Sequence, residues 1–277
     1  LNILMQGETF SPVKRATRKR EAHMNQIISI RDAALTYQAR NGEVEALRRV
    51  SFDVAEGEFV SIVGPSGCGK STLLGALAGL ETLDGGTVTL CGAPVSGASG
   101  HVGFMPQRDQ LFEWRTIRDN VLLGLEIRRD RDGEHRAHVD ALLERYGLAE
   151  FAAKRPDQLS GGMRQRCALI RTLATGPDIL LLDEPFSALD YQTRLAVSGD
   201  IWRIIRGEGK TALLVTHDIS EAVSMSDRAV VLSQRPAAVK AVFDMGELRQ
   251  LTPMQRRENP AFPRYFDAIW KELELHE

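Results

Sequence analysis

Four short apolar runs punctuate the chain: Phe59 to Val63, Ile179 to Leu182, Ala212 to Val215 and Ala229 to Leu232. Each is strand-sized and flanked by turn-forming or polar residues, so each reads as a strand buried on both faces. Helical spacing fills the intervals, with Leu73, Leu77 and Leu80 after the first run and Val197, Ile201, Ile204 and Ile205 after the second. Strands alternating with helices predict a parallel sheet covered by helices. Ahead of the first run, Ile27 to Val54 reads as extended segments broken at Asn41-Gly42, a dipeptide suited to a hairpin turn. A small antiparallel sheet is expected to lead the fold.

Between about residues 113 and 175 no strand-like run occurs. Helical spacing appears there at Ile117, Val121 and Leu125, and again at Val139, Leu142, Leu143 and Tyr146, which predicts a helical insertion. After Pro260 and Pro263, the positions Phe266, Ile269, Trp270 and Leu273 mark a last amphipathic stretch. The expected organisation is a disordered basic tail over 1–24, an α/β domain over 25–235 with its helical subdomain at about 113–175, and an extension over 236–277 ending in an amphipathic helix.

Composition narrows the function classes. A chain of 277 residues with 43% hydrophobic and 26% charged residues has ordinary globular composition and room for a full core, but not for two large catalytic domains. Its 35 Lys and Arg against 37 Asp and Glu leave no excess positive charge to gather a phosphate backbone, so nucleic acid is not the expected partner. No run approaches the ~20 apolar residues that a membrane helix needs. Cys68, Cys91 and Cys167 are too scattered for a CxxC pair or a zinc-ligand cluster, which points to a reducing setting. The run Lys14, Arg15, Arg18, Lys19 and Arg20 lacks the apolar core of a secretory signal, and Met24 reads as a candidate start.

The sharpest motif is Gly64-Pro65-Ser66-Gly67-Cys68-Gly69-Lys70-Ser71-Thr72, a GxxxxGK[ST] pattern set between a strand-like run and helical periodicity. Its glycines let successive N–H groups turn inward around phosphate oxygens, and the positive end of the following helix adds to the attraction. Lys70 suits the β and γ phosphates, and Ser71 suits Mg²⁺. Cys68 reads either as a thiol whose thiolate is favoured at a helix start beside Lys70 and shielded by a bound phosphate ligand, or as a small, tolerated loop residue. The run Ile179 to Leu182 ends in Asp183-Glu184: Asp183 is placed to hold the metal, and Glu184 to polarise an attacking water. In Ser160-Gly161-Gly162-Met163 a hydroxyl and glycines precede a second helix, offering free N–H groups to an anion. His217 also ends an apolar run. On its own it reads as structural, just as Tyr37 alone reads as a core aromatic. His135 and His138, at helical spacing with no third ligand apparent, read as a solvated face.

Taken together, these residues resemble the ATPase subunit of ATP-binding cassette (ABC) transporters. Leu159 to Arg166 is similar to that family's signature sequence, Gln107 to its Q-loop, Ser187-Ala188-Leu189-Asp190 to its D-loop, and His217 in Thr216-His217-Asp218 to its switch histidine. The resemblance implies a P-loop NTPase fold with a mainly parallel core sheet, an N-terminal antiparallel β subdomain and an α-helical insertion. Among the metal ligands it implies Ser71, Asp183 and Gln107; for catalysis, Glu184, His217, Gln107 and Lys70; against adenine, Tyr37. It further implies a homodimer in which ATP sits between the P-loop of one copy and the signature of the other. Met163 stands where Gln is commoner, and Glu113 before Trp114 where Pro is commoner.

Gln107-Arg108-Asp109, Trp114, the stretch Asp119 to Gly124, the segment Ser233 to Ala237, and Tyr265 with Trp270 look like the importers of nitrate, sulfonates and taurine. That likeness implies uptake of a small solute through separate integral membrane permease subunits, an external solute-binding protein, and a cytoplasmic position on the inner face of a bacterial membrane. A soluble, non-transport ATPase of the same family, such as a cluster-assembly factor, is the alternative.

Overall fold

The computed structural model describes residues 26–39, 42–130 and 132–274. The expected basic tail, the candidate start Met24 and the turn residue Asn41 lie outside them. The chain opens with β1 (Gln26–Ala39) and β2 (Gly42–Ala55), then β3 (Phe59–Val63) and α1 (Lys70–Leu77). Next come β4 (Gly85–Leu90), β5 (Ala93–Pro94) and β6 (Val102–Met105), and the helices α2 (Ile117–Ile127), α3 (Gly133–Arg145) and α4 (Gly161–Leu173). The second half runs β7 (Ile179–Asp183), α5 (Tyr191–Gly207), β8 (Thr211–Thr216), α6 (Ile219–Met225), β9 (Arg228–Leu232), β10 (Val239–Asp244), α7 (Pro253–Glu258) and α8 (Ala261–Glu274).

Two sheets result. The first is antiparallel, with strand order β2-β1-β4-β5; the second has order β10-β9-β3-β8-β7-β6 and is parallel except for β10. The four apolar runs are four central strands of this second sheet. Because side chains alternate along a strand, one face carries Phe59, Leu180, Leu182, Ala212 and Leu214 toward the helices from α2 to α5. The opposite face carries Val60, Ile62, Ile179, Leu181, Leu213 and Val215 toward α1 and the antiparallel sheet. Both faces are covered, which is why these strands read as continuous rather than alternating runs.

Several details depart from the sequence reading. Leu80 is not on the inner stripe of α1: the helix stops at Leu77, Gly79 takes φ +71°, and Leu80 is exposed. A side chain at Gly79 would drive its Cβ to 2.1 Å from the Gly97 carbonyl oxygen, so the turn requires glycine. In α8 the buried stripe is Ala261, Tyr265 and Ile269, while Trp270 faces solvent. The strand β10 carries Lys240 and Asp244 among apolar residues and pairs antiparallel with β9, so the segment after 235 continues the core sheet. There α8 packs with Val63, Val231 and Phe243 in a third cluster. Among the described residues no helix is long and apolar enough to cross a membrane.

Candidate active site

The loop after β3 and the N-terminus of α1 form the floor of a cavity of about 330 Å³. Gly69 has φ +127°, and a Cβ there would lie 2.7 Å from the Ala46 carbonyl oxygen, so only glycine lets the loop turn into the helix this close to β2. The first turn of α1 holds no acidic side chain of its own to offset its positive end. Lys70 is buried and donates from Nζ to the carbonyls of Gly64 at 2.8 Å and Pro65 at 2.9 Å. Among the described residues those are its two hydrogen bonds, which leaves one ammonium N–H for a ligand. A buried cation held only by carbonyl oxygens favours an incoming anion.

Across the cavity stand the ends of β7 and β6. Although β8 separates β3 from β7, Ser71 Oγ donates to Asp183 Oδ1 at 3.2 Å. Burial raises the Asp183 pKa; the hydrogen bond from Ser71 works against that, Glu184 adds to it, and Lys70 opposes it. Glu184 is held at φ +44°, with its N–H donated to the Val215 carbonyl at 2.9 Å. Gln107, two residues beyond β6, donates from Nε2 to Glu184 Oε2 at 3.4 Å and to Ser187 Oγ at 3.3 Å. His217 Nδ1 lies 3.1 Å from the same Glu184 oxygen. Tyr37, a third exposed, lines the rim and donates its hydroxyl to Thr72 Oγ1 at 3.3 Å.

Thus Tyr37, Ser66, Gly67, Gly69, Lys70, Ser71, Thr72, Gln107, Asp183 and Glu184 share one cavity, while Gly64, Pro65, Cys68 and His217 do not line it. The thiolate preference expected of Cys68 is reversed. Its thiol is buried so close to Gly64 that a Cβ there would sit 2.9 Å from its sulfur. Burial raises its pKa more than the charge of Lys70 lowers it, so the thiol form is favoured. The sequence reading also missed Arg235, which lines the cavity. Its loop is fastened to β2 by Ala237 N donating to Ala46 O at 2.9 Å and Arg48 N donating to Ala237 O at 2.8 Å. An arginine in a loop carries no periodic signal, so nothing local distinguished it.

Ser160, Gly161, Gly162 and Met163 lie outside this cavity. Ser160 is exposed and caps α4, its Oγ accepting from Met163 N at 3.3 Å, and the first turn of α4 has no acidic side chain. Gly162 is buried where a Cβ would meet Val197 Cγ2 of α5 at 2.6 Å. Asp190 caps α5 by accepting from Thr193 N at 3.0 Å. A second pre-formed helix start therefore lies outside the cavity of its own chain.

Comparison with known proteins now decides the family. The family profile described as ABC transporter matches residues 47–187. This chain belongs to the ABC transporter family, as an ATP-binding subunit with ATPase activity. An uncharacterised ABC transporter ATP-binding protein, YtlC of Bacillus subtilis, is 45% identical, the match covering 86% of this chain and 92% of that protein. The taurine import ATP-binding protein TauB of Ruegeria pomeroyi is 38% identical, covering 88% and 94%. A solved dimeric cassette, MJ0796, in a post-hydrolysis state bound to ADP and Pi, is 32% identical with a TM-score of 0.66, covering 79% of this chain and 98% of that one.

Beside the core lies one further surface feature. Trp114 is exposed and stacks on Phe112 with ring centroids 4.8 Å apart. Buried Asn120 braces this loop: its Oδ1 accepts from Phe112 N at 2.7 Å, and its Nδ2 donates to Phe112 O at 3.1 Å and Thr116 O at 2.9 Å. His135, expected to be solvated, is exposed and pairs with Asp130 at 2.6 Å.

Proposed function

We propose that this chain is the ATP-hydrolysing subunit of an importer for a small solute of the nitrate, sulfonate or taurine type. It acts as a homodimer on the inner face of a bacterial cell membrane, joined to separate permease subunits and served by an external solute-binding protein. The observation that carries this reading is the likeness, over most of the chain, to taurine import proteins such as that of Ruegeria pomeroyi. Exposed Trp114, stacked on half-buried Phe112 in a braced loop, supports it as the permease-facing surface. Large exposed aromatics are enriched where proteins dock.

In this reading Tyr37 stacks on adenine, and the loop from Gly64 to Thr72 surrounds the phosphates, with Arg235 adding a positive charge. The donor set of Ser71 Oγ, Asp183 and the Gln107 amide offers oxygen ligands, which suits Mg²⁺. When bound, Mg²⁺ neutralises charge on the β and γ phosphates. Glu184 takes a proton from the attacking water, and His217 holds the Glu184 carboxylate and the γ-phosphate end of the site in register. The capped start of α4, with Ser160 and Gly162, meets nucleotide held by the second copy, and Asp190 lies at that seam. Closing and reopening this seam moves the α2 to α4 helices against the permease.

Deletion of the gene tests the solute class. Growth on taurine, alkanesulfonates or nitrate as sole sulfur or nitrogen source should fail for at least one, and be restored by the wild-type chain but not by Lys70→Ala. Unimpaired uptake of all three would contradict the proposal.

A further inference from the structure

A group of potential ligands lies at the end of the core sheet opposite the nucleotide cavity. Asp178 immediately precedes β7 and His101 immediately precedes β6, whereas the cavity residues follow the far ends of those strands. Two backbone bonds fix the pair, since the N–H groups of Asp178 and Ile179 both donate to the His101 carbonyl at 3.0 Å. Their side chains meet as well, His101 Nδ1 lying 2.5 Å from Asp178 Oδ2. Cys91 arrives from the antiparallel sheet. It occupies the two-residue turn between β4 and β5, with Leu90 paired to Ala93.

That turn is unusual in its first residue. Cys91 has φ +50° and Gly92 φ +79°, the left-handed pair of a type I′ hairpin, where Asn, Asp or Gly is the ordinary first residue. A cysteine held in that region, with its N–H donated to the Ile27 carbonyl at 2.8 Å, is a strained placement of a metal-binding side chain. Ligand atoms of Cys91, His101 and Asp178 all lie within 4.8 Å of one another. Among the described residues they are the one such group of three. They line an open cavity of about 430 Å³ that Glu56 also lines.

We propose that Cys91, His101 and Asp178 form a binding site for a zinc-type divalent cation that clips the antiparallel sheet to the core sheet. One thiolate, one imidazole and one carboxylate match the ligand preferences of Zn²⁺, and the open cavity leaves the fourth tetrahedral position to solvent. Hard Mg²⁺ would not select a thiolate. On binding, the S–H bond of Cys91 breaks as the S–metal bond forms, and the proton leaves to solvent with no change of oxidation state. The spacing of the three cysteines concealed the site, because its ligands come from three segments joined only by the fold.

The test uses the full chain, reduced and free of nucleotide and chelator. Titration with Co²⁺ should give a thiolate-to-cobalt charge-transfer band saturating at one equivalent per chain and bleached by Zn²⁺. Cys91→Ser should abolish the band, and His101→Ala should weaken binding at least tenfold, while both retain wild-type Mg-ATP affinity. A second measurement needs no variant: Cys91 is exposed whereas Cys68 and Cys167 are buried, so alkylation of the native chain reports Cys91. Saturating Zn²⁺ should slow that alkylation at least tenfold. A missing cobalt band, a band that survives in Cys91→Ser, or alkylation indifferent to Zn²⁺ would overturn the proposal and leave the nucleotide site untouched.

Discussion

His217 Nδ1 and Gln107 Nε2 converge on the same oxygen, Glu184 Oε2, at 3.1 Å and 3.4 Å. The convergence follows from sheet register: β6, β7 and β8 are parallel neighbours, with Met105 opposite Leu182 and Asp183 opposite Val215. Residues just beyond three adjacent strand ends must therefore meet. A carboxylate flanked in this way is fixed in orientation before any substrate arrives, as a general base requires.

Glu184→Gln keeps the side-chain shape and the contacts to Gln107 and His217 but removes the carboxylate that the proposed mechanism uses as its base. Phosphate release should fall by about 10²- to 10⁴-fold, with Mg-ATP affinity within a few-fold of wild type. Steady-state phosphate assay and equilibrium nucleotide binding check both halves.

Tyr37→Ala should weaken ATP binding about tenfold, in line with the 1–3 kcal/mol typical of base–aromatic stacking. Tyr37→Phe should bind within about twofold, because the 3.3 Å bond to Thr72 is exposed and contributes little. Competition with fluorescent nucleotide measures both.

Gly162→Ala places a methyl group 2.6 Å from Val197 Cγ2, forcing α4 and α5 apart. A cost of about 1–3 kcal/mol is expected, visible as a lower thermal midpoint. ATPase activity should drop further than nucleotide affinity, because the P-loop cavity is built elsewhere.

Burial pushes the pKa of Glu221 up to about 7, while the hydrogen bond that it accepts from Thr216 Oγ1 at 2.6 Å pulls it down. The folded chain thus holds a proton that the unfolded chain releases near the ordinary glutamate value of 4.5. Stability falls as pH rises from about 4.5 to 7, and the penalty, about 3 kcal/mol, is complete above that window. Glu221→Gln mimics the protonated form. It should raise the thermal midpoint at pH 8 and leave it nearly unchanged at pH 5, as scanning calorimetry at the two pH values would record.

The P-loop, the four central strands and the capped start of α4 were legible because their signals are local: residue types at fixed offsets, and unbroken apolar runs. The strand β10 was not, since an edge strand with Lys240 and Asp244 carries half the pattern of a buried one. Cys68 misled because helix-start position and a neighbouring lysine are visible in sequence, whereas its burial against Gly64 is not. Arg235 owes its surroundings to tertiary packing, being brought to the cavity by a loop pinned on β2, and the burial of Glu221 beside its near neighbour Thr216 also depends on what packs over them.

Sedimentation velocity of Glu184→Gln with saturating Mg-ATP decides whether nucleotide joins two copies of this chain. A shift from the 30.7 kDa species to one of twice that mass is predicted, reversed by adding Ser160→Arg, which leaves single-chain ATP binding intact. A monomer at every concentration, or a dimer indifferent to Ser160→Arg, would contradict it.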